Sequence, residues 1–458
     1  MKRKNIIAIA LVLLVIGLFI GIILLSSDPS RAPSSNPNIP TPPGHKHKWQ
    51  STYNSTEHWW YCHDLEAHAE DAIKDKGKHK FAVDANDASK EKCSTCGYSR
   101  RIPTKQDDLN VSFGEDGNAS IGGSETEQPV NDLVIPGTVT NPETGEEVDV
   151  VEITDEAFRD NNNLSTLVIL EGVKRIGEYA FYGCSELKEI QLPASVEYID
   201  PQAFSNCKNL ERIIVDEGNP VYRSYTNCII LIEEQRIILG CKTSKIPTAK
   251  ESGKFLATSI GEYAFCGSGV ATIVIPDNIE AIAERAFQNC VSLTEFTFSA
   301  NVTQISGYTF SSCTALKTVT FSDGITQIGQ NAFAGCTSLN NVSLPANLTT
   351  IYDSAFNGCT SLKNITLNDG LTGIGDLAFR GCVRLESITL PSSILGIGTG
   401  AFEGCNALTE IVYKGTEDEW EKVTKRSGWN PKDVEVKFTT ATPDTGDSGS
   451  AGEDNQQD

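Results

Sequence analysis

The sequence predicts a solenoid in which β-strand repeats of 23 residues stack on one another. The first observation is a phenylalanine that recurs at intervals of 22 or 23 residues, with one interval of 61: Phe158, Phe181, Phe204, Phe265, Phe287, Phe310, Phe333, Phe356, Phe379 and Phe402. The second is a cysteine three residues after most of them, at positions 184, 207, 290, 313, 336, 359, 382 and 405. Because each unit has too little apolar surface to fold alone, neighbouring units must share one core.

Within a unit, the third observation is a leucine followed by apolar residues at alternate positions, as in Leu187, Ile190 and Leu192. Alternation with period two is typical of a strand with one buried face, so this segment is expected to add one strand per unit to a parallel sheet. A second apolar pair, such as Val196 and Ile199, closes the unit. The fold class is therefore a mainly β repeat solenoid, for which short helical turns are expected on the convex side.

One unit shows all of these features in a single stretch: Leu187, Ile190, Leu192, Pro193, Val196, Ile199, Ala203, Phe204 and Cys207. This pattern resembles the BspA-like leucine-rich repeat family, whose unit reads roughly L-x-x-I-x-I-P-x-x-V-x-x-I-G-x-x-A-F-x-x-C. The resemblance covers about residues 108–438. It implies a microbial cell-surface or secreted protein, commonly one that adheres to or binds a partner, and it implies no catalytic residue.

The long interval of 61 residues equals one unit plus an insertion. Between Cys228 and Cys241 two apolar runs flank a polar turn, which predicts a β-hairpin near residues 222–245. Whether these two cysteines form a disulfide is left undecided, because the length of the turn determines which residues of the hairpin face each other. At the end of the array, residues 413–438 are expected to form a cap, with a polar helix carrying Trp420 and a final strand. Residues 439–458 are acidic and predict a disordered tail.

The N-terminus predicts export. Lys2, Arg3 and Lys4 precede twenty uncharged, mostly apolar residues from Ile6 to Leu25, long enough for a helix that spans a bilayer. The positive flank predicts a single-pass anchor in residues 1–25, with the N-terminus in the cytoplasm and the repeats outside. A cleaved signal peptide, which would release a secreted protein, is the alternative. Residues 26–44 are rich in proline and serine and predict an extended linker.

Residues 45–103 form a separate block rich in histidine and cysteine. Cys93 and Cys96 make a C-x2-C pair followed by Gly97, the arrangement in which two thiolates of a knuckle chelate one metal ion. Together with Cys62 and one histidine they supply the four ligands of a structural Zn²⁺ site. A metal would help so small a module to fold.

The same block resembles small His/Cys modules that accompany repeat domains on microbial surface proteins. The matching segments are His47-Lys48-Trp49, His58-Trp59-Trp60-Tyr61-Cys62, His79-Lys80-Phe81 and Cys93-Ser94-Thr95-Cys96-Gly97. Position 65 is leucine where those modules carry the second cysteine of the first knuckle. His79 is therefore the first choice for the fourth ligand and His58 the second. The alternative is a metal-free module closed by a Cys93–Cys96 disulfide.

The charge and the histidine content argue against two classes of function, nucleic-acid binding and catalysis. The net charge is −22, and residues 1–106 carry 15 basic against 10 acidic side chains, so the excess of negative charge lies in the repeats. A nucleic-acid partner is not expected for such a chain. All six histidines lie between His45 and His79, which leaves no histidine base for catalysis in the array, and an enzyme is not expected.

The function expected is that of a membrane-tethered surface protein which binds a protein or glycan through its concave face, its hairpin or its rims. The alternative is a structural or self-assembling envelope scaffold without a foreign ligand. The repeat cysteines are expected to be buried thiols in turns, each a weak S–H donor. The concave face is expected to present the polar strand positions: Lys188, Glu189, Gln191, Lys317, Thr318, Thr320, Asn340, Asn341, Ser343, Lys363, Asn364, Thr366, Glu386, Ser387 and Thr389.

Overall fold

The structure is a computed structural model of the chain. It describes residues 49–53, 57–62, 73–78, 81–84, 87–93, 99–124, 131–248, 257–430 and 434–439. These residues divide into two units between Arg100 and Arg101. The expected anchor in residues 1–25, the linker in residues 26–44 and all but the first residue of the tail lie outside the described ranges. Within those ranges, no helix has the length and apolar character needed to cross a membrane.

The described residues of the first unit form two three-stranded sheets, and the last strand ends one residue past the boundary, at Arg101. The strands of the first sheet pair antiparallel in chain order, and Phe81–Asp84 pairs antiparallel with Asp87–Cys93 in the second. The six strands are Trp49–Tyr53, Glu57–Cys62, Ile73–Lys78, Phe81–Asp84, Asp87–Cys93 and Ser99–Arg101.

The second unit is a β-solenoid, as the repeat period predicts. We call the strands of its alternating segments row A. In most of them, the apolar residues at alternate positions are buried and the residues between them face outward, as in the strand Glu189–Leu192. Neighbouring strands pair in parallel with matched repeat positions. The strands of row A are Asp132–Ile135, Thr166–Ile169, Glu189–Leu192, Arg212–Val215, Thr272–Val274, Glu295–Thr297, Thr318–Thr320, Asn341–Ser343, Asn364–Thr366, Ser387–Leu390, Glu410–Tyr413 and Val436–Phe438.

A second row of parallel strands, row B, comes from the apolar pair that closes each unit. Its strands are mostly two residues long, and the isoleucine in them is buried in the same core that row A covers. The strands of row B are Glu147–Ile153, Arg175–Ile176, Tyr198–Ile199, Ser259–Ile260, Ala281–Ile282, Gln304–Ile305, Gln327–Ile328, Thr350–Ile351, Gly373–Ile374, Gly396–Ile397 and Thr424–Lys425.

The segment around each repeat phenylalanine forms hydrogen-bonded turns, and the expected short helical turns are absent from the described repeats. That prediction was wrong for a backbone reason. In most units the residues two before and two after the phenylalanine have positive φ, as at Tyr179 (55°) and Gly183 (72°). A left-handed residue ends right-handed helix. The peptide groups instead bond across units: the Phe181 N–H donates to the Ala203 carbonyl at 2.8 Å.

The core of the solenoid is a column of stacked phenylalanines. From Phe265 to Phe402 seven rings stack without a break, with neighbouring centroids 4.9–5.5 Å apart and planes within 14°. Beside them the repeat cysteines are buried, as predicted, and each S–H donates to the carbonyl of the phenylalanine one unit earlier. Cys336, for example, lies 3.2 Å from the Phe310 carbonyl oxygen. The thiol thus adds a second hydrogen bond to a carbonyl that already accepts a backbone N–H within its own turn, as the Phe310 carbonyl does from Cys313 at 3.1 Å.

The insertion forms a three-stranded antiparallel meander of Tyr222–Tyr225, Cys228–Leu231 and Arg236–Gly240, the last two making a hairpin. Its last strand joins row B beside Ser259–Ile260. At its end the Gly240 N–H donates to the Ala264 carbonyl, and a Cβ on this glycine would lie 2.1 Å from the ring of Phe265. The hairpin therefore enters the stack between Phe204 and Phe265. Both hairpin cysteines, 228 and 241, are buried free thiols.

Both ends of the solenoid are covered. At the start, a 3-10 turn at Gln106–Asp108 leads into Leu109–Phe113, which pairs antiparallel with Ala119–Ser124, and that strand joins row B. Thr138–Thr140 pairs antiparallel with the first strand of row B. At the other end, the helix Glu417–Glu421 buries the ring of Trp420 against the core.

Candidate binding groove

The outward side chains of row A make a polar face, as expected from the sequence. Adjacent units pair their side chains on it: Asn364 donates to Asn341 at 3.2 Å, and Lys363 lies 3.3 Å from Glu386. These groups are exposed and partner one another along the array. Exposed pairs of this kind contribute little free energy, so the face is a solvated ladder.

A cleft of about 300 Å³ lies on another surface, where the turns around the repeat phenylalanines meet solvent. We call it the groove. Its residues occupy repeated positions, namely two before, one after and two after the phenylalanine. The lining consists of Arg159, Tyr179, Tyr182, Gln202, Ser205, Asn206, Tyr263, Cys266, Gln288 and Asn289.

The groove exists because two consecutive units have small side chains at one repeat position. Directly after Phe204 and Phe265 come Ser205 and Cys266, whereas the units on either side carry Tyr182 and Gln288 there. The small pair forms the floor and the larger residues form the walls. A second small pair, Ser311 and Ala334, has one tyrosine beside it, Tyr308, whereas three tyrosines line the groove.

The hairpin brings these two units together although 61 residues separate their phenylalanines. The turns meet directly, since the Asn206 N–H donates to the Cys266 carbonyl at 2.9 Å. Gly267 makes this contact possible. Its φ is 64°, and a Cβ there would lie 2.5 Å from the Asn206 Cα, so any other residue would push the two turns apart.

Two arginines hold the tyrosines of this surface in place. The guanidinium carbon of Arg159 lies 5.3 Å from the ring centre of Tyr179 and 5.2 Å from that of Tyr182. These two rings meet edge to face at 5.3 Å. Beyond the groove, Arg285 lies over Tyr263 at 5.7 Å and Tyr308 at 4.6 Å. Such cation–π contacts keep the half-buried rings oriented.

The arginine charges are matched by neighbouring carboxylates. Arg159 bonds to Glu156 at 2.7 Å and lies 3.6 Å from Asp160, and Arg285 lies 2.5 Å from Glu284. The groove therefore offers hydrogen-bond donors and aromatic rings with little net positive charge. Partial burial raises the pKa of the Tyr263 hydroxyl, and the nearby Arg285 lowers it in part.

The floor of the groove contains a polar atom that the protein leaves unsatisfied. Ser205 is 3% exposed, and within the described residues its hydroxyl makes no hydrogen bond of normal geometry. Its neighbour is the Cys266 thiol, whose pKa is raised to about 12 by burial and by Cys290, with the Ser205 hydroxyl lowering it slightly. An unpaired buried hydroxyl is costly and is uncommon in a folded protein.

This groove is not evident from the sequence, although one signal is present. Tyrosine stands two residues before the phenylalanine in three units, at Tyr179, Tyr263 and Tyr308, where most other units carry small or polar residues. All three have φ near 55°, which is uncommon for a large side chain. Tyr179 and Tyr263 line the same cleft only because the insertion folds so that the units on its two sides meet, which the sequence does not reveal.

The proposed metal ligands are only partly placed. Cys62 ends the strand Glu57–Cys62 and Cys93 ends Asp87–Cys93. His79 and Cys96 lie outside the described residues. The zinc site therefore stays a prediction.

Several solved structures are similar to this chain. A leucine-rich repeat protein from Eubacterium ventriosum has 20% identity and a TM-score of 0.46, with 65% of this chain and 92% of that one covered. A leucine rich cell surface protein from Faecalibacterium prausnitzii has 20% identity and a TM-score of 0.37, with coverages of 72% and 99%. The pneumococcal vaccine antigen PcpA has 16% identity and a TM-score of 0.39, with coverages of 74% and 98%. None of the curated proteins matches the chain.

The sequence profile of the BspA type leucine rich repeat region matches six copies in the array. The matched residues are 148–233, 258–357 and 326–423, which together span more than half of the chain. They include both sides of the groove, and between residues 148 and 423 they omit residues 234–257, which contain the last strand of the hairpin. The chain therefore belongs to the BspA-type leucine-rich repeat family.

Proposed function

We propose that this protein is a surface-displayed binding protein and that the groove at the insertion is its binding site. The observation that carries the proposal is the combination, at one place in a regular array, of a 300 Å³ cleft, three half-buried tyrosines and an unsatisfied buried hydroxyl. Ligand sites in proteins are concave, carry aromatic residues and place a few polar groups within them. A solenoid of this type is typically a binding scaffold and not an enzyme.

The regular face of row A supports this choice by contrast. Its side chains are mainly polar or charged and carry no aromatic ring at the expected positions, whereas binding energy in protein recognition is concentrated in tyrosine, tryptophan and arginine. In the groove, three tyrosines are present, and Arg159 and Arg285 lie over their rings.

The test uses the full-length chain and a matched pair of variants. Tyr179→Asn with Tyr263→Asn removes two rings of the groove, and both changes suit the fold because Asn331 occupies the same repeat position with φ of 54°. Tyr308→Asn, which changes the same repeat position outside the groove, is the control. Immobilised protein is probed with arrays of extracellular proteins and glycans. We expect a ligand whose binding is lost in the double variant and kept in the control. Self-association without any ligand would favour the scaffold role instead.

Surface display, with an N-terminal anchor, is the second part of the proposal. Its support is the apolar run Ile6–Leu25 behind three basic residues, together with the family. Protease added to intact cells should then cleave the repeats, whereas cytoplasmic control proteins stay whole. Full-length protein that survives on intact cells but is cleaved after lysis would contradict the proposal. The size of the mature chain distinguishes the anchor from a cleaved signal peptide.

We also propose one structural Zn²⁺ in residues 45–103, held by Cys62, Cys93, Cys96 and His79. Three thiolates and an imidazole are an ordinary zinc ligand set. Elemental analysis of the full-length protein, purified without chelator, should find about one zinc per chain, and Cys93→Ser should lose it. A folded, metal-free protein with a Cys93–Cys96 disulfide would contradict the site.

A further inference from the structure

We infer that the groove binds a neutral saccharide, with one or two sugar rings lying between Tyr182 and Gln288. The inference rests on the proposed function, because it names the chemical class of the ligand for the same groove. Four features of the lining carry it: the rings, the amides, the balanced charge and the floor.

The rings come first. A pyranose has one face of C–H groups, which packs on the flat side of an aromatic ring, and hydroxyls around its edge. Tyr179, Tyr182 and Tyr263 line the groove from two sides and are half-buried, so they are fixed before any ligand arrives. Rings that are already ordered lose little entropy on binding.

The amides match the edge of a sugar. Gln202, Asn206, Gln288 and Asn289 line the groove, and an amide is both a donor and an acceptor, as a sugar hydroxyl is. The Gln202 carbonyl oxygen accepts from the Tyr179 hydroxyl at 2.9 Å, which leaves its NH₂ group available to a ligand. Within the described part of the chain, the side-chain amides of Gln288 and Asn289 have no hydrogen-bond partner, so a ligand replaces only their bonds to water.

Charge argues against an anionic ligand. Both arginines of this surface are matched by carboxylates, Arg159 by Glu156 and Asp160 and Arg285 by Glu284. The chain as a whole carries a net charge of −22 and repels anions. A sialylated or sulfated glycan, or a phosphate ester, would therefore bind less well than its neutral counterpart.

The floor and the size set the limits of the ligand. A cleft of about 300 Å³ is at the lower end of ligand pockets, which suits one or two sugar rings and excludes a folded protein element. The Ser205 hydroxyl is buried on the floor beside the Cys266 thiol and, among the described residues, makes no hydrogen bond of normal geometry. A ligand hydroxyl that reaches it would supply the missing hydrogen bond.

The experiment measures the binding of defined sugars to the full-length chain by calorimetry and by ligand-observed NMR. The probes are neutral di- and trisaccharides of glucose, galactose, mannose and N-acetylglucosamine, each with a sulfated or sialylated counterpart. We expect one neutral series to bind, and its charged counterpart to bind more weakly. Tyr263→Asn should weaken that binding roughly tenfold or more, which is the usual loss at an aromatic anchor.

Two further variants show whether the sugar occupies the groove. Ser205→Ala should weaken binding while leaving the fold intact, because Ala334 occupies the same position in a regular unit. Tyr308→Asn should leave the affinity unchanged. Equal binding by the wild-type protein and Tyr263→Asn, or no binding of any neutral probe, would overturn the inference that the groove binds a neutral saccharide. If a protein or peptide ligand then loses its binding in the double tyrosine variant, the proposed function survives and only the ligand class falls.

Discussion

The array from Phe265 to Phe402 and the junction between Phe204 and Phe265 use the same repeat positions for different purposes. In the array, seven rings stack without a break and the surrounding turn positions carry mainly small or polar residues such as Asn331, Ser354 and Ala334. At the junction, the hairpin interrupts the stack and the same positions carry tyrosine, serine and cysteine. A repeat whose fold is secured by its core can vary its turn surface. The single hairpin between Phe204 and Phe265 is enough to create a groove in this turn surface.

The largest expected effect is on the free energy of unfolding, when a phenylalanine of the stack is removed in the array or at the junction. Phe333 is stacked on both sides, at 5.3 Å from Phe310 and from Phe356, so Phe333→Ala should lower the free energy of unfolding by about 3–5 kcal/mol. Among the described residues Phe204 stacks on Phe181 alone, so Phe204→Ala should cost about 1 kcal/mol less. Urea unfolding followed by circular dichroism measures both. Equal losses would mean that the hairpin replaces the missing ring contact.

The difference between the array and the junction also shows which structural features could be predicted from the sequence. Period, alternation and anchor residues predicted row A, the phenylalanine core and the buried thiols, because each depends on positions within one unit and its regular neighbour. The helical turns were predicted wrongly because positive φ at a residue such as Tyr179 depends on bonds to the next unit. The groove was missed because Ser205 and Cys266 become neighbours only when the hairpin closes.

A matched pair of glycines tests how tightly the junction is packed. A methyl group at Gly240 would lie 2.1 Å from the Phe265 ring, so Gly240→Ala should destabilise the protein by about 1–3 kcal/mol through overpacking. Gly373 lies in row B of the regular array, and a methyl group there meets nothing closer than 3.8 Å. Gly373→Ala should therefore be neutral or stabilising by a few tenths of a kcal/mol, since it restricts the unfolded chain.

The same unfolding assay measures the glycine pair. An equal loss in both variants would mean that the close approach of Gly240 to Phe265 does not limit the packing of the junction. A loss confined to Gly240→Ala would confirm that the hairpin fits into the stack with no spare volume.

The buried thiols should titrate alike at the junction and in the array, because both regions bury them. Burial raises the pKa of Cys266 at the junction and of Cys359 in the array to about 12, from an ordinary value near 9. Between those pH values the unfolded chain has lost the proton and the folded chain keeps it. Stability is therefore full below pH 9 and falls as the pH rises toward 12, by about 1.4 kcal/mol per pH unit for each thiol.

The measurement compares unfolding at pH 8, 10 and 11 for the wild type, Cys266→Ala and Cys359→Ala. As the pH rises, each variant should lose less stability than the wild type. The difference from the wild type should be similar for the two variants. The titration of lysines and tyrosines is common to all three proteins and cancels in the comparison. A wild-type slope in either variant would show that its thiol ionises in the folded protein. Thiol-reactive reagents should label neither cysteine at pH 8 until the protein unfolds.

The smallest effect is the most specific to the junction, because it concerns one hydroxyl. Ser205 is buried, and among the described residues its hydroxyl makes no hydrogen bond of normal geometry, so the folded protein bears the cost of removing it from water and gains at most a weak contact with the Cys266 sulfur in return. Ser205→Ala removes that cost and should raise the free energy of unfolding by up to about 1 kcal/mol. In the array, Ser311 occupies the same repeat position but is less buried, 9% exposed against 3% for Ser205, so its hydroxyl loses less contact with water and Ser311→Ala should be neutral or destabilising. Opposite signs for the two serines would show that the junction keeps a polar group at the expense of stability, as residues that serve a ligand often do. A loss of stability in Ser205→Ala would mean that the protein itself satisfies this hydroxyl, and the floor of the groove would then have nothing to offer a sugar.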